Sequence, residues 1–430
     1  MTSLCKSIRP VSRVSARIRL PGSKSITHRA LMMAAMSEGP REIENPLRAE
    51  DTLLTAGALE ALGSLLEWRG DSVRVTPPKS RWRNPPGPIF LGNSGTSARL
   101  LLALFSAGTG TFVMDGTSRL RLRPVGPAVS ALQKLGAEIT WRGEAGFLPV
   151  AIHSKGLDGG EVFVDASKSS QFLSGILIAA PLARGKVSVR WSEQVASRPY
   201  LDMTLAMMKE AGIGFKHQDS NGILIPAPQR YEPRNYTVEG DCSSASYFWG
   251  AAALTGGEVF TSPVSRESLQ GDCRFLDVLC KMGCRILWEN DGVRVVGPEK
   301  LSPVDIDMNA MPDMVPTLAV LCAFAEGVSR IENVAHLRIK ESDRLSAVAA
   351  GLGVLGFEAR ELPDGLIICG RPPCGPPTAP VKACDDHRIA MAFALAGLRL
   401  QGVVIDGADS VGKSFPGFWE IFESLAGDSY

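Results

Sequence analysis

The chain carries no surplus of charge of either sign: 46 Lys and Arg stand against 45 Asp and Glu. This removes the bulk positive field by which proteins hold nucleic acid or an anionic membrane surface, so any anionic partner must be met by local cations. No apolar run reaches the length of about 18 residues that spans a bilayer. The nine Cys are scattered, and the closest pair, Cys280 and Cys284, lacks both zinc-ligand spacing and His neighbours. They read as reduced core or surface thiols, and no metal is expected. No strand leads into a GxGxxG turn, which excludes a doubly wound dinucleotide fold. The first twenty residues contain no acid and are rich in Arg and Ser, as in a transit peptide, yet they lack an apolar stretch and run straight into Gly22-Ser23-Lys24-Ser25. A strand, Ala16 to Leu20, is expected there, and a cytoplasmic location.

What is present is a folded globular composition, 45% hydrophobic and 21% charged over 430 residues, enough for two or three domains. Similar punctuation recurs along the whole chain at about 70 to 76 residues. One glycine series follows an apolar helical run and precedes a strand: Gly39, Gly110, Gly185, Gly257, Gly327 and Gly402. A second closes a later helix: Gly63, Gly136, Gly212, Gly283, Gly356 and Gly427. Glycine accepts the left-handed conformation that ends a helix, so each unit reads as strand, helix, strand, strand or loop, helix, strand. Helices Ala30 to Met36, Leu100 to Phe105, Phe172 to Ala180 and Pro316 to Ala325 are apolar around much of their circumference, which predicts burial, with strands outside. Six units imply an α/β protein of two domains with three repeats each. The midpoint falls near Val238 to Asp241.

A dense polar cluster precedes the first helix of every unit: Ser23-Lys24-Ser25, Asn93 to Ser97, Ser167 to Gln171, Asp241 to Ser246, Asp313, and Asp386-His387-Arg388. Helix capping needs one oxygen. It accounts for the Asp241 cluster but not for Ser169, Ser170 and Gln171 together, nor for Lys24 and Arg388, cations at a helix end that already favours anions. Further cations gather near the second helices: Arg119, Arg121 and Arg123; Lys340 and Arg344; Lys413. Arg121, among apolar neighbours, reads as solvated surface. Several of the others are expected to converge on phosphate and carboxylate groups. Gly407 to Ser414 matches the phosphate-loop pattern GxxxxGK[ST], but Pro416 and Gly417 occupy what should be helix, which argues against a nucleotide site.

The segments PGSKSITHRA, GNSGTSARLL, DASKSSQF, SRPY, KESDRL, DDHRIAM and GKSFPGF resemble, in order and spacing, those of the enolpyruvyl transferases, in particular the 5-enolpyruvylshikimate-3-phosphate synthases. The resemblance covers essentially the whole chain. It implies a two-domain inside-out α/β barrel of six βαβαββ repeats, residues 1–22 with 240–430 and residues 23–239, with substrates in the cleft between domains. It implies that Lys24, Ser25, Arg29, Ser169, Ser170, Gln171, Ser197, Tyr200, Asp313 and Lys340 hold shikimate 3-phosphate. Lys24, Gly95, Arg123, Gln171, Arg344, Arg388 and Lys413 would hold phosphoenolpyruvate. His336 stands where many members have Asn, Leu100 where one branch has Pro, and Asp385 where a neutral residue is usual.

The reaction so implied adds the shikimate 5-hydroxyl to C2 of phosphoenolpyruvate while C3 gains a proton, and the tetrahedral ketal then expels phosphate. It needs groups that move protons and cations that stabilise the departing phosphate. Asp313 is the candidate base; Glu341 is the candidate for proton transfer at C3, with Lys24 as rival. No cofactor is required, no nucleic acid or membrane partner is expected, and nothing demands more than a monomer. Gly95 leaves room beside the phosphoenolpyruvate site, as in members inhibited by glyphosate. The alternative acceptor is UDP-N-acetylglucosamine, whose enzyme typically has a Cys in the loop corresponding to Gly110 through Arg123, where this chain has none. A non-catalytic protein that binds a phosphorylated metabolite is the second alternative. It would not need Asp313 and Glu341 together.

Overall fold

The computed structural model describes residues 4–79, 82, 84–372 and 375–426. Twelve α-helices lie among them: α1 Lys24–Ala35, α2 Glu50–Ala61, α3 Gly95–Ala107, α4 Gly126–Lys134, α5 Gln171–Ala179, α6 Pro199–Glu210, α7 Cys242–Thr255, α8 Phe275–Lys281, α9 Val315–Ala323, α10 Arg344–Val354, α11 His387–Gly397 and α12 Phe418–Ser424. Strands interleave with them in one repeating order, strand, helix, strand, helix, strand, strand. The paired strands therefore follow the second helix, which corrects the order read from the glycines. The sixth repeat ends after α12 and lacks its hairpin among the described residues.

The chain divides into two compact units, a continuous one, Gly22–Val238, and a discontinuous one made of Met1–Pro21 and Glu239–Tyr430. The continuous unit contains three four-stranded sheets. Their strand orders are Tyr236–Thr237, Arg41–Glu44, Ser72–Thr76, Leu65–Arg69; then Ile89–Phe90, Thr109–Asp115, Val150–Lys155, Glu138–Trp141; then Gly160–Val164, Val187–Trp191, Gly222–Ile225, Lys216–Asp219. In each the first pair is parallel and the rest antiparallel. The discontinuous unit repeats this pattern in two sheets, Ser15–Arg19, Glu258–Ser262, Gly292–Val296, Arg285–Glu289 and Asp305–Asp307, Gly327–Glu332, Gly365–Gly370, Glu358–Leu362. Its third sheet has three strands: Val381–Lys382 runs parallel to Val404–Asp406, and Cys5–Ser7 takes the antiparallel place of the missing hairpin.

Two strands are exchanged. Ser15–Arg19, one residue off the expected Ala16 to Leu20, leads into α1 but pairs in parallel with Glu258–Ser262. Tyr236–Thr237 leads into α7 but pairs with Ile43 and Glu44. Each unit thus closes with a strand taken from beyond its sequence neighbours.

Burial follows period. In Ser72–Thr76, Val73 and Val75 are buried while Arg74 faces solvent, the alternation of a sheet covered on one side. Helix α9 is buried at every position and α3 almost throughout, so their apolar composition places them between the sheets. Side chains of this size contribute about 1.5–3 kcal/mol each when fully buried. Phe105 of α3 stacks on Phe112 at 5.1 Å between centroids. Gly175 lets α5 approach α3 closely, since a Cβ there would lie 2.7 Å from the Arg99 carbonyl oxygen.

The helix-closing glycines Gly63, Gly136, Gly212, Gly283 and Gly356 all have positive φ, between 83° and 103°. Gly427 lies outside the described residues. The other series is mixed: Gly110, Gly327 and Gly402 are left-handed, whereas the residue that closes α7 is Gly256, φ 64°, and not Gly257. Gly110 through Arg123 begins as strand, Thr109–Asp115, and only then becomes a loop with a short 3-10 turn, Leu120–Leu122. Among the described residues no helix is long and apolar enough to cross a membrane.

Candidate functional site

In the continuous unit the first turn of α3 is a hub. The Ser94 hydroxyl caps the helix by accepting from the Ser97 amide at 3.3 Å. Ser97 Oγ in turn donates to the Asp51 carbonyl, 3.1 Å, at the start of α2. Asp51, 1% exposed, holds Lys24 Nζ at 3.2 Å. On the other side Arg123 Nη1 donates to the Asn93 carbonyl at 2.9 Å, and its guanidinium lies against Gly95, where an added Cβ would sit 2.4 Å from Arg123 Cζ. The Gln171 amide bridges α5 to this turn, donating to Thr96 Oγ1 and accepting from Arg99 Nη1, both at 3.0 Å. Lys24, Gly95, Arg123 and Gln171 are therefore assembled by one helix terminus.

A second group surrounds Arg29. The side chain is fully buried and makes four hydrogen bonds: Nε to Thr204 Oγ1, Nη1 to the Ser25 carbonyl, Nη2 to Ser174 Oγ and to the Tyr200 carbonyl, at 2.8 to 3.2 Å. Burial lowers its pKa to about 10, against a smaller opposing effect of Tyr200. Arg29 thus fixes the backbone of Ser25 and Tyr200, both half-buried. Ser197, just before α6, has φ 59°, left-handed for a non-glycine residue, a conformation that costs about 1–3 kcal/mol and marks functional sites. Neither Ser23 nor Ser170 uses its hydroxyl as a side-chain cap. Ser169 Oγ accepts from the Gln171 amide at 3.3 Å.

In the discontinuous unit the centre is Arg344, 1% exposed. Its Nε donates to Asp386 Oδ2 at 2.7 Å, Nη1 to Asp313 Oδ1 at 2.8 Å, and Nη2 to Glu341 Oε2 at 2.8 Å. Burial alone would lower its pKa, but Asp386, Glu341 and Asp313 override this and raise it. Asp313 also accepts from Arg388 Nη2 at 2.8 Å, with Lys340 Nζ 3.9 Å from Oδ1. Asp386 caps α11 through the Arg388 amide and accepts from Ser342 Oγ. Burial and then the charge of Lys340 push the His336 imidazole down to about 3, so it is neutral at physiological pH. Burial pushes Tyr247 up to about 12, against the nearby Arg388. Burial first, and the charge of Asp313 next, raise the pKa of Asp272, whose carboxylate accepts from Ser243 Oγ.

Asp313, Lys340, Glu341, Arg344 and Arg388 are thus one constellation. Lys413 is buried and ends a 3-10 turn, Ala408–Lys413, with no helix before Phe418, so GADSVGKS does not form a phosphate loop that opens a helix. Arg121 is exposed and paired with Asp115, as its neighbours imply. Asp241 caps α7 through the Ser244 amide at 2.6 Å. The sequence reading missed Asp51, Arg99 and Asp272. A signal existed: Asp51, Arg123, Asp272 and Arg344 each lie about one helix length before a helix-closing glycine, in the same register of the repeat.

Fold and site together define an α/β enzyme whose buried Arg and Lys groups suit anionic substrates. The profile of the EPSP synthase family (3-phosphoshikimate 1-carboxyvinyltransferase) matches residues 8–422. A protein from Syntrophobacter fumaroxidans named 3-phosphoshikimate 1-carboxyvinyltransferase is 59% identical over 420 residues, 98% of this chain and 99% of that one. One of the same name from Sulfurovum is 39% identical over 424 residues, 98% and 99% of the two chains. The structure of EPSP synthase from Acinetobacter baumannii superposes with a TM-score of 0.81 at 31% identity, over 97% of each chain. The chain belongs to the EPSP synthase family.

Proposed function

We propose that the chain transfers the enolpyruvyl group of phosphoenolpyruvate to the 5-hydroxyl of shikimate 3-phosphate and releases phosphate. The observation that carries the reading is Asp313, a carboxylate with one oxygen on Arg344 and the other on Arg388. It combines an acceptor for a hydroxyl proton with fixed cations for phosphate and carboxylate groups.

In this reading the 5-hydroxyl oxygen bonds to C2 as its proton passes to Asp313, and C3 takes a proton. The C2–O bond to phosphate then breaks, C3 returns its proton, and the proton on Asp313 leaves with phosphate. Glu341 accepts from Arg344 Nη2 at 2.8 Å, and its carboxylate is the group that receives the C3 proton in the second step. The ammonium of Lys24, beside Asp51, suits delivery in the first; the site resets when the proton passes back to Lys24. Arg123, Arg388 and Lys413 hold phosphoenolpyruvate, with Gln171 between the substrates. Ser25, Arg29, Ser169, Ser170, Ser197, Tyr200 and Lys340 hold shikimate 3-phosphate. The Arg123 guanidinium, seated against Gly95, takes an anionic group of either phosphoenolpyruvate or glyphosate, so that glyphosate competes with phosphoenolpyruvate. Both substrates are charged phosphate esters confined to the compartment that makes them, which supports a cytoplasmic enzyme, read here as a monomer.

The test mixes purified protein with both substrates, without metal or nucleotide, and follows phosphate, with UDP-N-acetylglucosamine as parallel acceptor. Phosphate is expected with the shikimate acceptor alone. Release with the sugar nucleotide alone, or with neither, overturns the reading.

A further inference from the structure

His28 is fully buried in α1, and the proposed reaction gives it no part. It begins a string of hydrogen bonds that crosses three helices. His28 Nδ1 lies 2.8 Å from Thr55 Oγ1 of α2, Thr55 Oγ1 lies 2.8 Å from Ser97 Oγ of α3, and Ser97 Oγ lies 2.7 Å from Ser94 Oγ. All four side chains are fully buried, so their hydroxyl hydrogens are spent on protein partners and not on solvent.

One end of the string sets its direction. The Asp51 carbonyl can only accept, so the single Ser97 hydroxyl hydrogen belongs to it, at 3.1 Å. Thr55 and Ser94 then both donate to Ser97 Oγ and fill its two lone pairs. Thr55 has no second hydroxyl hydrogen, so it accepts from His28, whose Nδ1 therefore carries a hydrogen.

The string runs one helical turn from the groups that take phosphoenolpyruvate in the proposed reaction. Lys24 precedes His28 by four residues on α1, Asp51 precedes Thr55 by four on α2, and Gly95 precedes Ser97 by two on α3. Residues four apart share a helix face, so the string and the 3.2 Å Lys24–Asp51 pair tie the same two helices at successive levels. We propose, resting on the enolpyruvyl-transfer reading, that His28 is a positioning residue for the phosphoenolpyruvate site. Protonated at Nδ1, it locks α1, α2 and α3 in register through Thr55 and Ser97, and so holds Lys24, Asp51 and Gly95 in place.

The experiment compares, in the full-length protein, side chains that mimic one ring nitrogen or the other. The amide nitrogen of His28→Asn falls near Nδ1 and that of His28→Gln near Nε2, while His28→Leu and Thr55→Val each cut the string at the same link. The Leu and Val variants should lose about 10-fold in kcat/KM for phosphoenolpyruvate, the scale of a small misplacement of functional groups. Their calorimetric affinity for shikimate 3-phosphate should stay within about twofold of the parent. His28→Asn should recover most of the loss, and His28→Gln should not. The double variant His28→Leu with Thr55→Val should be no worse than either single one, because both remove one hydrogen bond. In protein labelled with 15N-histidine and free of substrate, His28, identified as the ring signal missing from His28→Asn, should carry its hydrogen on Nδ1. The proposal is overturned by a ring protonated at Nε2 alone, by recovery with Gln instead of Asn, by equal losses for both substrates, or by Leu and Val variants that match the parent. A parent that releases no phosphate overturns the enolpyruvyl-transfer reading instead, and the ring signal, which needs no substrate, then decides the wiring.

Discussion

Gly95→Ala tests whether Arg123 and the first turn of α3 form the phosphoenolpyruvate site. The backbone is no obstacle, because Gly95 is not among the positive-φ glycines and Ala is a better helix former. The obstacle is the guanidinium: an added Cβ lies 2.4 Å from Arg123 Cζ and Nη2 and 2.9 Å from Nη1, where ordinary contact begins at 3.4 Å. Arg123 must retreat by about 1 Å, a scale on which misplacement of a functional group costs up to about 100-fold. That retreat breaks its 2.9 Å bond to the Asn93 carbonyl. A hydrogen bond from a charged donor is worth about 1.5–3 kcal/mol, roughly 10- to 150-fold in rate. Steady-state phosphate release should therefore show kcat/KM for phosphoenolpyruvate reduced by about 10- to 100-fold. KM for shikimate 3-phosphate and the melting temperature should stay near those of the parent. A kcat/KM for phosphoenolpyruvate within twofold of the parent would refute the reasoning, and so would a loss confined to shikimate 3-phosphate.

Arg344→Met leaves Asp386 and Glu341 buried, and Asp313 half-buried beside Arg388, without their common cation, so urea denaturation should report a loss of about 3–5 kcal/mol; less than about 1 kcal/mol would mean the carboxylates find other partners. Glu341→Gln should bind shikimate 3-phosphate almost normally by calorimetry while turnover falls about 10²- to 10⁴-fold, and unchanged turnover removes Glu341 from the mechanism. His336, ordinarily near 6.5 and here pushed down to about 3, refuses in the folded state a proton that the unfolded chain accepts. Its contribution is fully present above about pH 6.5 and is lost as pH falls towards 3, at roughly 1.4 kcal/mol per unit. His336→Asn should flatten the stability profile between about pH 6 and 4 by that slope, and parallel profiles for the two proteins would contradict it.

Much of this molecule is legible because a repeat averages out local ambiguity. Gly63, Gly136, Gly212, Gly283 and Gly356 mark helix ends by a backbone requirement that only glycine meets cheaply, and each occurs in register. Polar residues ahead of apolar helices gave Lys24, Gln171 and the Asp386 triplet, because side chains at a helix start are placed by the helix itself. Pairings between distant segments were not legible. Nothing in SARIR states that it joins EVFTS, since any half-buried strand offers the same ladder of hydrogen-bonding groups. The same limit hid Asp51, which reads as an ordinary first-turn acid of α2 until Lys24 is seen 3.2 Å away. Arg29 combined both cases: its place in the motif was visible, but its ties to Thr204 and Ser174 depend on how α1, α5 and α6 pack.

The exchanged strands impose a timetable on synthesis. Gly22–Val238 is one uninterrupted stretch, so all of that unit's sheets can form as soon as it clears the ribosome. The segment that precedes this unit emerges before it yet must wait for partners: Ser15–Arg19 for Glu258–Ser262, and Cys5–Ser7 for Val404–Asp406. At about 5–20 residues per second, the latter wait of about 400 residues lasts roughly 20–80 s. This earlier-made segment thus finds its place only after the later strands exist, and a polypeptide truncated before Val404 leaves Cys5–Ser7 without the strand it pairs with.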